Sequence, residues 1–124
     1  MIHSGNVLAF MGDVVLSLQV REYLINLGIT QTKKLQEKSI LFVSAKAQAT
    51  FVQYLVDENL LDEMEMTMFR RGRNAKSQTM AKNADMITYR LSTGFEALWG
   101  YLYLDKQEER LDALWEIYKA RVEL

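Results

Sequence analysis

The sequence predicts an all-α fold, a bundle of about six to seven helices, on three observations. Proline is missing from all 124 residues. Apolar residues recur every three or four positions almost throughout, the period of a helix with one buried face. Strict apolar–polar alternation, the signature of a half-buried strand, is weak everywhere. The length suits a single domain over residues 1–124, large enough to bury a real core.

Asn6 to Leu27 reads as one long helix, apolar nearly all round, which suits the middle of a bundle. Gly28 follows at the position that ends helices in a left-handed turn. Thr30 to about Phe42 is a shorter helix with a basic flank of Lys33, Lys34 and Lys38. Ser44 to about Asn59 forms a third, with Ala47, Phe51, Val52, Leu55 and Val56 expected to face inward. Asp62 to about Arg71 is a fourth, with Asp62, Glu63 and Glu65 at its start, where the helix dipole favours anions. Gly72 to about Leu91 is polar and basic with weak periodicity, and reads mostly as loop. Ser92 to Leu104 is a fifth, strongly apolar helix. Asp105 to Leu124 is a sixth, amphipathic through Leu111, Leu114, Trp115, Tyr118 and Val122.

Composition removes several chemistries. There is no cysteine, so disulfides and cysteine-ligated zinc are excluded, as suits a reducing cytosol. With one histidine, His3, histidine-based triads and the usual zinc sites are disfavoured. The first residues have neither the basic start nor the uninterrupted apolar run of a signal peptide. No stretch approaches the roughly 20 apolar residues of a membrane span, so a cytoplasmic location is expected. The net charge of −1 hides an asymmetry: six basic residues against one acid from Arg70 to Arg90, then six acids against four basic residues from Asp105 to Leu124.

The sharpest feature is where charge enters the two most apolar helices. From Asn6 to Val20 the only charged residue is Asp13, and from Leu91 to Leu104 it is Glu96. Neither has a lysine or arginine three or four positions away on its own helix. A buried carboxylate without a partner costs several kcal/mol, on the order of that for any uncompensated ion. If the two helices pack together the carboxylates can meet, and a hard cation such as Mg²⁺ would then reconcile them. Two structural readings stand beside this one. Gly12 and Asp13 fit a helix-packing glycine beside an aspartate paired elsewhere, and Thr93–Glu96 fits the S/T-x-x-E capping box.

Arg70, Arg71, Arg73 and Lys76 place four cations in seven positions. Arginine forks suit phosphate oxygens, although a solvated charged loop is the plainer reading of such a run. Lys46 lies among small residues at the start of a helix, where an anion or another helix could approach closely.

Together these segments resemble a known family. Leu8-Ala9-Phe10-Met11-Gly12-Asp13-Val14-Val15 is similar to the ribonuclease III signature, Leu-Glu-Phe-Leu-Gly-Asp-Ala-Val. Phe95-Glu96-Ala97-Leu98-Trp99-Gly100, with the apolar stretch to Leu104, resembles its second motif, Val-Glu-Ala-Leu-Ile-Gly. VSAKAQA (Val43 to Ala49), RRGRNAKS (Arg70 to Ser77) and TYRLSTGFEALWGYLYL (Thr88 to Leu104) resemble the Mini-ribonuclease III branch, which has no double-stranded-RNA-binding domain. The resemblance spans about Asn6 to Leu111 and implies a ribonuclease III endonuclease-domain bundle acting as a homodimer. It implies a metal-dependent endoribonuclease that cuts double-stranded RNA to 5′-phosphate and 3′-hydroxyl ends. Asp13 and Glu96 match two of four acidic ligand positions and would hold Mg²⁺. The other two fall on Ala9 and Thr93, a thinned site that the Mini-ribonuclease III branch shares. Lys46, Arg70, Arg71, Arg73 and Lys76 would bind RNA, and Phe10 matches the aromatic that inserts into the partner subunit. The implied substrate is precursor large-subunit (23S) ribosomal RNA, within the pre-ribosomal particle or free of it. The competing function is a non-catalytic helical RNA-binding module on the same fold.

Overall fold

The computed structural model of the chain describes residues 3–76 and 84–124. They form six helices: α1 (Gly5–Asn26), α2 (Thr32–Val43), α3 (Ala45–Asp57), α4 (Glu63–Arg73), α5 (Ala84–Leu104) and α6 (Glu108–Arg121). No strand occurs among the described residues.

Local chemistry explains the helix ends. Ser4 caps α1, its hydroxyl accepting from the Val7 N–H at 3.2 Å. At the other end Gly28 takes φ +91°, a left-handed conformation that suits glycine. The N–H groups of Gly28 and Ile29 then donate back to the carbonyls of Ile25 and Leu24, closing the turn. Ser44 ends α2 and caps α3 through the Ala47 N–H. Asp62 and Glu65 form a reciprocal capping box at the start of α4.

Two sequence expectations change. The segment read as loop up to Leu91 is helical from Ala84 onward, as α5 begins there. Its polar surface hid the period, because the buried stripe becomes strongly apolar only after Leu91. Thr93 consequently sits inside a helix and cannot cap one; its hydroxyl donates to the Tyr89 carbonyl one turn earlier. The second change concerns α1, whose apolar circumference is not wholly enclosed. Leu8, Val15, Leu16, Val20 and Leu24 are buried, whereas Val7, Phe10, Val14 and Leu18 stand exposed along another face.

Helix α5 is the hub, packing against α1, α3, α4 and α6. Phe42, Phe51, Phe95, Trp99, Leu114 and Tyr118 fill the space between them. The Phe51 and Tyr118 rings stack at 4.1 Å, and the Tyr118 hydroxyl donates to the Phe42 carbonyl at 2.7 Å. That satisfies its only donor in a buried site. Helices α1 and α5 come within backbone contact where they cross. A Cβ on Gly12 would collide with the Glu96 backbone carbonyl, and one on Gly100 with the Leu8 carbonyl. Two helices can cross at backbone distance only where both omit side chains.

Gly12→Ala should therefore force α1 and α5 apart and cost at least 1–3 kcal/mol, on the order of other overpacked cores. Urea denaturation reads this as a lowered midpoint. A midpoint equal to that of the unaltered protein would show that the crossing tolerates a side chain.

Candidate active site

The crossing at Gly12 and Gly100 brings the two isolated acids together. Asp13 follows Gly12 on α1, and Glu96 is the residue whose carbonyl Gly12 packs against. The Glu96 carboxyl lies within hydrogen-bonding reach of Asp13 and of the Gln48 amide from α3. Asp13 is solvent-exposed and Glu96 is half-buried, so the pair sits at the bundle surface, on a rim and not deep in the core. Desolvation, then the Asp13 carboxylate beside it, pushes the Glu96 carboxyl up to about 8 from an ordinary 4.5; the Gln48 amide pulls the other way.

The molecule treats another buried glutamate very differently. Glu65 is 1% exposed. Its Oε2 accepts from Arg110 Nε at 2.8 Å, and its Oε1 from Arg110 Nη2 and the Asp62 N–H, each at 2.9 Å. That carboxylate is fully paired and holds a helix start in place. Among the described residues no lysine or arginine forms an ion pair with Asp13 or Glu96. Two carboxylates facing one another without a cation are a poor structural element and a good metal site.

The fit to a divalent cation is a thin one. No group of three or more His, Cys, Asp or Glu residues gathers around a common point among the described residues. Ala9 and Thr93 lie on the same helices at the i−4 and i−3 positions from Asp13 and Glu96, and both are buried. Ala9 offers no oxygen, and the Thr93 hydroxyl hydrogen is engaged by Tyr89. Asp13 and Glu96 would thus be the charged donors for a hard ion. Magnesium accepts such a set because it keeps several waters and takes oxygens from substrate phosphate.

The basic run is less of a loop than expected from sequence, since α4 continues past Arg71 through Gly72 and Arg73. Arg70, Arg71 and Arg73 form the last turn of α4, where cations complement the helix dipole. Arg70 is exposed; Arg71 is half-buried and donates from Nη1 to the His3 carbonyl at 3.1 Å. Arg73 lies over the Phe69 ring, its guanidinium carbon 5.4 Å from the centroid. Lys76 is exposed, and its carbonyl accepts from Asn6 Nδ2 at 2.9 Å. These two tethers fasten the basic end of α4 to the start of α1. Asp13 lies seven residues beyond Asn6, about 10 Å along the helix. The remainder of that polar stretch, from Ser77 to Asn83, lies outside the described residues. Lys46 is in the first turn of α3 and lines a groove of 430 Å³ with Ala47, Thr50, Tyr118 and Arg121.

Residues 6–107 match the Ribonuclease III domain family. The chain is 49% identical over 111 residues to Mini-ribonuclease 3 of Enterococcus faecalis, covering 90% of this chain and 84% of that one. It is 48% identical over 118 residues to Mini-ribonuclease 3 of Streptococcus pneumoniae, covering 94% and 92%. This chain belongs to the Mini-ribonuclease 3 family. It is an endoribonuclease of the ribonuclease III type. A crystal structure of a Fusobacterium nucleatum protein superimposes with a TM-score of 0.82 at 29% identity, covering 92% of this chain and 91% of that one. The Mini-ribonuclease 3 assignment accounts for the motifs around Asp13 and Glu96 and for the all-helical architecture. No helix among the described residues is long and apolar enough to cross a membrane.

Sequence reasoning missed Gln48 as a member of the site. The signal was present: Gln48, Phe51, Val52 and Leu55 are spaced as one buried helical stripe, and only Gln48 is polar.

Because Glu96 binds its proton more tightly folded than unfolded, the folded state carries more protons between pH 4.5 and 8. Stability in EDTA should therefore fall as pH rises through that window. The loss is roughly 2–4 kcal/mol after allowance for the solvent-facing edge of the carboxyl. Glu96→Gln should remove this slope and melt higher than the unaltered protein at pH 8. Melting curves from pH 5 to 8 measure it, and equal slopes in both proteins would disprove the carboxylate pairing.

Proposed function

We propose that the chain cuts double-stranded RNA in a Mg²⁺-dependent reaction at the Asp13–Glu96 pair, leaving 5′-phosphate and 3′-hydroxyl ends. The observation that carries this reading is the meeting of two carboxylates with no basic partner among the described residues, one of them pushed up to about 8 by burial and by the other. A bound Mg²⁺ would activate water and offset charge on the scissile phosphate. Asp13 and Glu96 would hold it, and the half-buried position of Glu96 would limit competition from bulk water for that carboxylate. No side-chain nucleophile is required, in keeping with the lack of cysteine and the single histidine.

Arg70, Arg71, Arg73 and Lys76 grip the duplex through its phosphates, about two helical turns along α1 from the carboxylates, with Lys46 as a further contact. A-form RNA is recognised chiefly by shape, phosphates and 2′-hydroxyls. Arg71 and Arg73 are held by His3 and Phe69, so their forks are oriented before RNA arrives.

The exposed face of α1 supports a homodimer. Val7 (49% exposed), Phe10 (77%), Val14 (58%) and Leu18 (64%) form one stripe at three- and four-residue intervals. A continuous apolar stripe of this kind marks an interaction surface, and a two-fold axis lets the stripe cover itself. Phe10, beside the catalytic turn, would lie near that axis, setting one carboxylate pair against each strand. The family resemblance supports precursor large-subunit ribosomal RNA as substrate and the cytoplasm as the site of action.

Asp13→Asn and Glu96→Gln should each retain the fold and lower duplex-RNA cleavage by at least about a thousandfold, in line with loss of a metal ligand. Gel assays of labelled duplex RNA with Mg²⁺ or EDTA test this. Cleavage in EDTA, or full activity in either variant, would refute the metal reading; binding without cleavage by the unaltered protein would favour the RNA-binding module. Replacing Arg70, Arg71 and Arg73 with alanine should weaken RNA binding and flatten its dependence on salt, by a slope change of roughly two to three. Phe10→Glu should shift the sedimentation coefficient to that of a monomer, and a persisting dimer would place the interface elsewhere.

A further inference from the structure

We infer that Gln48 is the third side chain of the Asp13–Glu96 centre, its Oε1 supplying a neutral oxygen to the coordination shell of the divalent ion. The inference rests on the metal reading proposed above and adds a residue to it.

Three observations carry it. Gln48 is 2% exposed, so solvent cannot satisfy its amide. Its Nε2 donates to the Val43 carbonyl at 3.1 Å, while Oε1 is a buried side-chain oxygen with no hydrogen-bond partner among the described residues. Its NH₂ end also lies within reach of the Glu96 carboxyl, and Oε1, bonded to the same carbon, is beside that contact.

The orientation of the amide is determined by its neighbours. A backbone carbonyl can only accept, so the Val43 side must meet the NH₂ end. Rotating the amide by half a turn would put two oxygens face to face there and leave a buried NH₂ in the other direction. The oxygen is therefore left over, and a buried acceptor without a donor costs about 1–3 kcal/mol. Such groups in folded proteins call for an ion, a water or a catalytic use. The bond to the Val43 carbonyl uses only the NH₂ end, and the neighbouring buried positions of α3, Phe51, Val52 and Leu55, offer nothing to the oxygen. A methionine would fill a similar volume, removing the orphaned oxygen at the cost of the bond to Val43.

Magnesium chemistry supplies the reason. It seeks hard oxygen donors, and amide oxygens serve it without adding charge. With Ala9 and Thr93 where further acids could have stood, the site is short of protein oxygens. A third carboxylate would add to repulsion that already raises the proton affinity of Glu96; an amide oxygen adds a donor and no repulsion. Its NH₂ end meanwhile favours the ionised form of Glu96, the form that binds metal.

The test uses Mn²⁺ as probe, titrated into the full chain without RNA and followed by electron paramagnetic resonance. Gln48→Met should weaken Mn²⁺ about tenfold, as the loss of a supporting ligand does. Its melting temperature in EDTA should be no lower than that of the unaltered protein. Gln48→Glu, which restores an oxygen, should bind Mn²⁺ more tightly than Gln48→Met. If Gln48→Met does not fold, Gln48→Asn, which withdraws the oxygen by one methylene, should show the same weakening. Unchanged affinity in the folded apolar or shortened variant overturns the role of Gln48, as does a Gln48→Glu that binds no better than Gln48→Met. Asp13→Asn separates the two ideas. If it abolishes Mn²⁺ binding while the Gln48 variants bind normally, only this inference falls; if it too binds normally, the metal centre falls with it.

Discussion

The backbone-to-backbone crossing of α1 and α5 is the constraint on which the site depends. Gly12 and Gly100 face opposite carbonyls across it, each on the other helix. Any side chain at either position would hold the helices apart. The residue after Gly12 and the residue Gly12 packs against are the two acids of the site, so this backbone contact and the chemistry of the site share an address. Packing that makes the crossing rigid also sets the separation of the two carboxyls, which a metal centre needs.

Two glutamates show two ways in which this protein treats charge drawn out of water. Glu65 receives a guanidinium and a backbone N–H, and serves as structure. Glu96 is left beside a second carboxylate and an amide, and is protonated more readily than any ordinary glutamate. A fold selected for stability alone would resolve the second case as it resolved the first. The unresolved charge is what points to the proposed centre, and it ties the stability of the protein to pH.

The surface is organised around the same two helices. One face of α1 is buried against α5, while the stripe from Val7 to Leu18 is left open. The basic last turn of α4 is anchored to the first residues of α1 through Asn6 and His3. Helix α1 thus carries an acid of the centre, the apolar stripe and the attachment of the cationic cluster along a single rigid rod. Contacts with RNA or with a second subunit would be registered against the carboxylates through that rod.

Helix content, the left-handed stop at Gly28, the cap at Asp62 and the isolation of Asp13 and Glu96 were all legible in the sequence, because each is a local pattern of spacing and side-chain chemistry. Local pattern misled between Ala84 and Leu91, where a polar helix surface hides its period, and at Thr93, where a capping motif falls inside a longer helix. It could not say that Asp13 sits at the rim, that α4 runs on through Gly72 to Arg73, or that Gln48 turns its amide toward Glu96. Those facts depend on which faces meet, and faces meet through contacts between residues far apart in the chain. The sequence by itself determined which helices form and which carry a lone acid; the tertiary structure decided that the acids share one space, because only packing at Gly12 and Gly100 lets two backbones come close enough.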